Sequence, residues 1–239
     1  MSDLLRIALV AEGPTDYEII HAALKAILLS RPFIMTPLQP EKTRPEMGSG
    51  WCGVRKWCHD TRLRSTAMNG TDYTLAGFDL LIIHLDLDVA GMSYADCSPE
   101  VELMARDWQW KRLPCPKQPC PPVSATRDQI EEVLKSWLGE HTPTHRTLYC
   151  LPAQSSGTWL AAAILPSEHA LLIRAECDTS VERRLELLPM KERIRKEVKK
   201  YQKHCPSITS QWAQVKQVCT QAERFEQSVL ATIELGEST

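Results

Sequence analysis

Short apolar runs alternate with amphipathic stretches along the chain. Leu4 to Ala11 (LLRIALVA) is nearly continuous in apolar residues and includes β-branched ones, which predicts a strand buried on both faces. It stops at Glu12-Gly13-Pro14. From Thr15 to Leu29 the apolar positions Ile19, Ile20, Ala23, Leu24, Ile27 and Leu28 cover one helical face. Thr15 followed by Glu18 has the spacing of a capping box, which makes Thr15 the expected N-cap. A second strand is expected at Phe33 to Leu38, and a helix around Val54 to Leu63 within the polar, mixed segment Glu41 to Gly77.

Phe78 to Leu85 (FDLLIIHL) is the strongest strand pattern in the chain, and it runs into Asp86-Leu87-Asp88. Residues 91–125 read as an insertion. Pro114, Pro116, Pro119, Pro121 and Pro122 argue against regular structure there. Beyond it come a helix (Arg127 to Leu138), a strand (Arg146 to Leu151) and a short apolar helix (Thr158 to Leu165). Helical patterns follow over Lys191 to Lys203 and Ser207 to Ile233. Strands alternating with helices imply an α/β fold, a mostly parallel sheet flanked by helices, with a helical C-terminal extension. The expected division is residues 1–170 for the α/β part and 171–239 for the helical part.

Composition narrows the class. The chain has 239 residues, 43% hydrophobic and 24% charged, which suits a globular protein. No apolar run reaches the ~18 residues of a membrane span. Asp3, Arg6 and Glu12 interrupt the N-terminal apolar stretch, so no secretory leader is expected. The formal net charge of -2 excludes wholesale polyanion binding but not a local basic patch. An odd number of cysteines, nine, without an export signal reads as reduced thiols in a cytoplasmic protein.

The candidate chemistry is acidic. Glu12 closes the first strand, and Asp86 and Asp88 close the most apolar one. Ligand sites of open parallel sheets lie beyond the carboxyl ends of the strands. If the chain stays extended, Asp86 and Asp88 at i and i+2 point to the same side. If the two strands are neighbours, Glu12 joins them. Carboxylates so close repel one another unless a cation lies between them. Mg2+ (or Mn2+) is the natural partner, and it suits phosphoryl transfer or phosphodiester hydrolysis. Asp16, in the first helical turn, also complements the helix dipole.

These residues resemble a Toprim (topoisomerase–primase) domain. Glu12-Gly13-Pro14-Thr15-Asp16 is similar to the Glu-Gly-x-Ser/Thr-acid motif of stand-alone members, and Asp86-Leu87-Asp88 before Gly91 is similar to the Toprim Asp-x-Asp. The resemblance is carried by residues 4–29 and 78–91. It implies a compact α/β fold and Mg2+-dependent chemistry on nucleic acid, DNA or RNA, as in small nucleases of antiphage defence. It also implies that Glu12 serves as general acid/base or metal ligand, that Asp86 and Asp88 hold the metal, and that Asp16 supports a second one. Such nucleases often act with a separate ATPase, and this chain shows no Walker motif. Many stand-alone relatives place a Glu two residues before a Trp-Leu pair. Here Gly157 precedes Thr158-Trp159-Leu160, beside Ser155 and Ser156. That departure favours a degenerate binding module as the alternative. A haloacid-dehalogenase-type phosphatase with Asp86 as nucleophile is the other.

Residues 189–204 (PMKERIRKEVKKYQKH) hold seven Lys/Arg and two Glu. Ile194, Val198 and Tyr201 form the apolar stripe of an expected basic helix. Lys191, Arg195, Lys196, Lys199 and Lys200 are then candidates for contact with nucleic-acid phosphates, the alternative being a solvated helix face. Cys52, Cys58 and His59, and Cys97, Cys115 and Cys120, lack the tight Cys-x2-Cys spacing of a zinc site. His84 reads as a packed, hydrogen-bonded strand residue. Trp108 and Trp110 read as cover for the core, with base stacking as the alternative.

Overall fold

The computed structural model describes residues 4–29, 31–41, 43, 45–67, 72–139, 146–190 and 193–237. Its centre is β1 (Leu5–Val10), whose side chains alternate between two cores: Ile7 and Leu9 face one, Ala8 and Val10 the other. The helix α1 (Pro14–Leu28) leads to β2 (Phe33–Gln39), and α2 (Gly50–Ala67) leads on to β3 (Leu80–His84). Next come α3 (Pro99–Asp107), α4 (Ser124–Leu138), β4 (Thr147–Cys150) and α5 (Gly157–Ile164). The last helices are α6 (Val181–Glu186), α7 (Val198–Ser210), α8 (Trp212–Val218) and α9 (Thr220–Glu237).

All four strands are parallel, in the order β2-β1-β3-β4. From the centre the chain winds one way through α1 to β2 and the other way through α4 to β4. Crossovers of one hand therefore put these helices on opposite faces. Accordingly, α1 packs with α5 and the C-terminal helices on one face, and α2 and α4 pack on the other. The sheet's topological switch point lies between β1 and β3, where α/β folds form their ligand crevice. This is the expected fold class, and it sets the tips of the two acid-bearing strands side by side.

Several local expectations are corrected. Gly13, not Thr15, precedes the first turn of α1, with Pro14 at its first position. The N-terminal acid is Asp16, whose Oδ2 accepts the Gly13 N–H at 2.8 Å. Glu18 instead accepts from Gln202 and helps fasten α7. The prolines of the insertion keep 114–122 irregular, but Ser98 caps a helix ahead of them: its hydroxyl accepts the Val101 N–H, with Pro99 at the first position of α3. The stretch from 207 to 233 is not one helix, because Gln211 and Cys219 leave helical backbone and separate α7, α8 and α9. Trp110 is buried as expected. Trp108 is partly exposed beneath the Arg62 guanidinium, 4.8 Å from its ring centroid.

The all-thiol expectation is overturned. Cys52 pairs with Cys97, tying α2 to the segment before α3, and Cys120 pairs with Cys177, tying the proline-rich segment to the region before α6. Cys58, Cys115, Cys150, Cys205 and Cys219 remain thiols. No described helix is long and apolar enough to cross a membrane.

The C-terminal helices share the core of α1 and α5. Trp159 of α5 is fully buried between Trp212 and Phe225, with ring centroids 5.5 and 5.8 Å away. Trp159→Ala is expected to cost about 3–5 kcal/mol in urea unfolding, and a loss below about 1 kcal/mol would show that this ring does not anchor α8 and α9. Thiol titration of the denatured, unreduced chain is expected to give five groups, and nine after reduction. Nine before reduction would refute both bridges.

Candidate metal centre

Successive N–H groups of a parallel strand point to opposite neighbours. Beyond β3, Leu85 and Leu87 donate to the carbonyls of Cys150 and Pro152 on the β4 side, both at 3.1 Å. The Asp86 N–H between them faces the β1 side, where β1 has ended. Glu12 Oε1 accepts it at 2.8 Å. The two strand tips are thus joined by a carboxylate in place of a carbonyl.

His84, two residues before Asp86, shares its side of the sheet. It is fully buried, and its Nε2 lies within ion-pair distance of Asp86 Oδ1, at 3.1 Å. Neither ring nitrogen makes a hydrogen bond. Among the described residues, Glu12, His84 and Asp86 form the group able to hold a metal ion, each offering a ligand atom within 4.8 Å of the others. Orphaned imidazole nitrogens between two carboxylates are what a site fit for a cation shows, since buried polar atoms otherwise find partners.

The first turn of α5 closes the cluster. The Ser156 N–H donates to Asp86 Oδ1 at 2.9 Å, and its hydroxyl donates to Asp16 Oδ1 at 2.6 Å. Both Asp16 oxygens are therefore occupied, by Ser156 and by Gly13. Asp16 fixes the turn below Glu12 and stands outside the three-residue group.

Asp88 does not take the place given to it by strand geometry. The chain bends into a 3-10 turn over Leu87–Gly91, and Asp88 sits half-buried at the rim, its N–H directed to the Gln154 carbonyl. His84 and Asp86, rather than Asp86 and Asp88, form the i and i+2 pair. His84 was visible in the sequence but read as packing, whereas the structure gives it no hydrogen bond.

The basic segment also differs from expectation. Lys191 lies outside the described residues. Residues 193–197 are not helical, and α7 begins only at Val198, after Ile194 has been buried. Arg195, Lys199 and Lys200 are exposed. Lys196 alone of these is tied to the cluster: its ammonium donates to Glu182 Oε2 at 2.8 Å and acts electrostatically on Asp86 and Asp88. No sequence signal marked Glu182.

Charge is unbalanced here. Burial, followed by the Asp86 charge, holds the Glu12 carboxyl well above its ordinary range. Burial, followed by repulsion from Asp16 and Asp88, does the same to Asp86. Burial pushes Asp88 up to about 6, with Lys196 opposing. Comparison with protein-family models, with curated proteins and with solved structures gave no match.

Because these folded values lie above the unfolded ones, the folded chain keeps protons that the unfolded chain releases. For Asp88 the stabilising contribution is complete below about pH 4 and is lost as pH rises through about 6, and Glu12 and Asp86 shift stability in the same direction. In EDTA, the melting temperature of Asp86→Asn and of Asp88→Asn is expected to gain on wild type between pH 4 and 7. Parallel curves would refute the imbalance.

Proposed function

We propose that the chain is a divalent-metal-dependent nuclease of the Toprim-like kind, hydrolysing nucleic-acid phosphodiester bonds with Mg2+ or Mn2+. One observation carries the reading: a half-buried carboxylate, a buried one and a buried imidazole without a hydrogen bond converge where adjacent strand tips meet. A mixed oxygen–nitrogen donor set favours Mn2+, since Mg2+ prefers oxygen alone. Glu12, His84 and Asp86 would hold the ion. When bound, it supplies charge to polarise a phosphate and to lower the pKa of a water molecule.

The chain's own groups supply the rest. Glu12, its carboxyl held above the ordinary carboxylate range by burial, stands where it can accept a proton from the attacking water. Ser156 fixes the rotamers of Asp86 and Asp16 through its N–H and hydroxyl. Asp88 stands at the rim, where a second cation would approach. The exposed Arg195, Lys199 and Lys200 give a phosphate backbone a surface to follow. A role as a defence effector driven by a separate ATPase subunit belongs to the same reading.

Plasmid, single-stranded DNA and bulk tRNA incubated with Mg2+ or Mn2+ test this. Wild type is expected to cleave at least one of them, and Glu12→Ala and Asp86→Ala to cut more slowly by about 100-fold or more. Cleavage indifferent to both changes would sink the proposal. Hydrolysis of small phosphomonoesters lost with Asp86→Ala alone would point to a phosphatase instead. Nucleic-acid binding without turnover would point to a binding module.

A further inference from the structure

Glu182 and Lys196 are far in sequence from the strand tips, yet Glu182 lies over Gly157, beside the Ser156 that bonds Asp86 and Asp16, and holds Lys196 there. Asp86 and Asp88 each feel the Lys196 and Glu182 charges, and Lys196 feels Asp86 and Asp16 in turn. The pair is built rather than incidental. Glu182 Oε2 accepts from the Lys196 ammonium at 2.8 Å, and Glu182 Oε1 accepts from the buried Tyr201 hydroxyl at 3.1 Å. Glu186, one turn along α6 from Glu182, accepts the Lys196 backbone N–H at 3.1 Å. The one short helix thus grips this lysine by main chain and side chain.

Room for the arrangement comes from Gly157. A Cβ there would lie 2.3 Å from Glu182 Oε1, 2.4 Å from its Cγ and 2.7 Å from its Cδ. Any side chain at 157 would displace the whole carboxylate end of Glu182.

The Lys196 ammonium, exposed and paired with Glu182, acts electrostatically on Asp86, Asp88 and Asp16 without an ion pair to any of them, and a cation on a four-carbon stem so placed is itself a competitor for a cation site. We propose that Glu182 is a positioning residue that lies across Gly157 and holds Lys196 beside the carboxylate cluster rather than in it. The metal position stays open, and the ammonium faces an arriving phosphate. This rests on the metal-dependent reading above. It makes Lys196 the phosphate-facing cation of the site, with Glu182, Tyr201 and Gly157 setting where it stands.

The test is Mn2+ affinity, read by electron paramagnetic resonance titration of the full chain, with folding of each variant checked by circular dichroism. Lys196→Ala removes the competitor and is expected to bind Mn2+ about tenfold more tightly. Glu182→Gln releases the ammonium toward the cluster and is expected to bind about tenfold more weakly. The double variant should bind as tightly as Lys196→Ala, because Glu182 has no ammonium left to position, whereas a return to wild type would mark additive charge effects and overturn the positioning role. Glu182→Asp and Gly157→Ala leave net charge unchanged but shorten or expel the reach of the carboxylate, and both are expected to weaken binding. Two charge-neutral variants guard against one that fails to fold. Unchanged affinity in both, beside shifts in Glu182→Gln and Lys196→Ala, would reduce the effect to net charge and overturn the positioning role. Glu182→Gln binding as tightly as wild type would overturn it as well. Wild type that binds no Mn2+, or binds it indifferently to Asp86→Ala, would bring down the metal-dependent reading itself and this inference with it.

Discussion

The hydrogen bond from the Asp86 N–H to the Glu12 carboxylate fixes the chemistry of this molecule in place. Parallel strands end at different points, and past the end of β1 the next donor on β3 would face solvent or nothing. A carboxylate takes it instead. That single substitution of side chain for main chain sets the separation of the two strand tips and draws His84 and Ser156 into the same volume. It also confines negative charge where water is scarce. Burial and mutual repulsion then raise the acids, so the tension at the strand tips is one of charge rather than of geometry.

The sheet was legible because parallel strands buried on both faces leave continuous apolar runs, as in LLRIALVA and FDLLIIHL. Glu12 and Asp86 were legible for the same reason: an acid that ends such a run has nowhere to go but the rim. The position of Asp88 was not, because extrapolating a strand one residue too far places a side chain on the wrong side, and a 3-10 turn begins at Leu87. Within that apolar run His84 has the pattern of a packed strand residue. Only its surroundings show that its nitrogens make no hydrogen bond and that Nε2 sits beside Asp86.

Other features depend on contacts between segments remote in sequence. The bridged cysteines are separated by 45 and 57 residues, so no local spacing announces them. Glu182 gains its meaning from the bare Cα of Gly157 and from Tyr201, on two other helices. The amphipathic stretch before Tyr201 looked helical by periodicity, but Lys196 is gripped by α6, and the helix starts only after that grip.

The site is assembled from segments far apart in the chain, and this governs when it comes into being. Glu12, His84, Asp86 and Ser156 all leave the ribosome before Lys196 and Tyr201 do. A nascent chain halted after β4 would carry the acids of the crevice without the cation that faces them and without the helices that share the core of α1. The complete constellation of charges forms only once the chain has been made through Tyr201 and the helices beyond it. A truncated product would therefore be born with the acids and without their counter-charge.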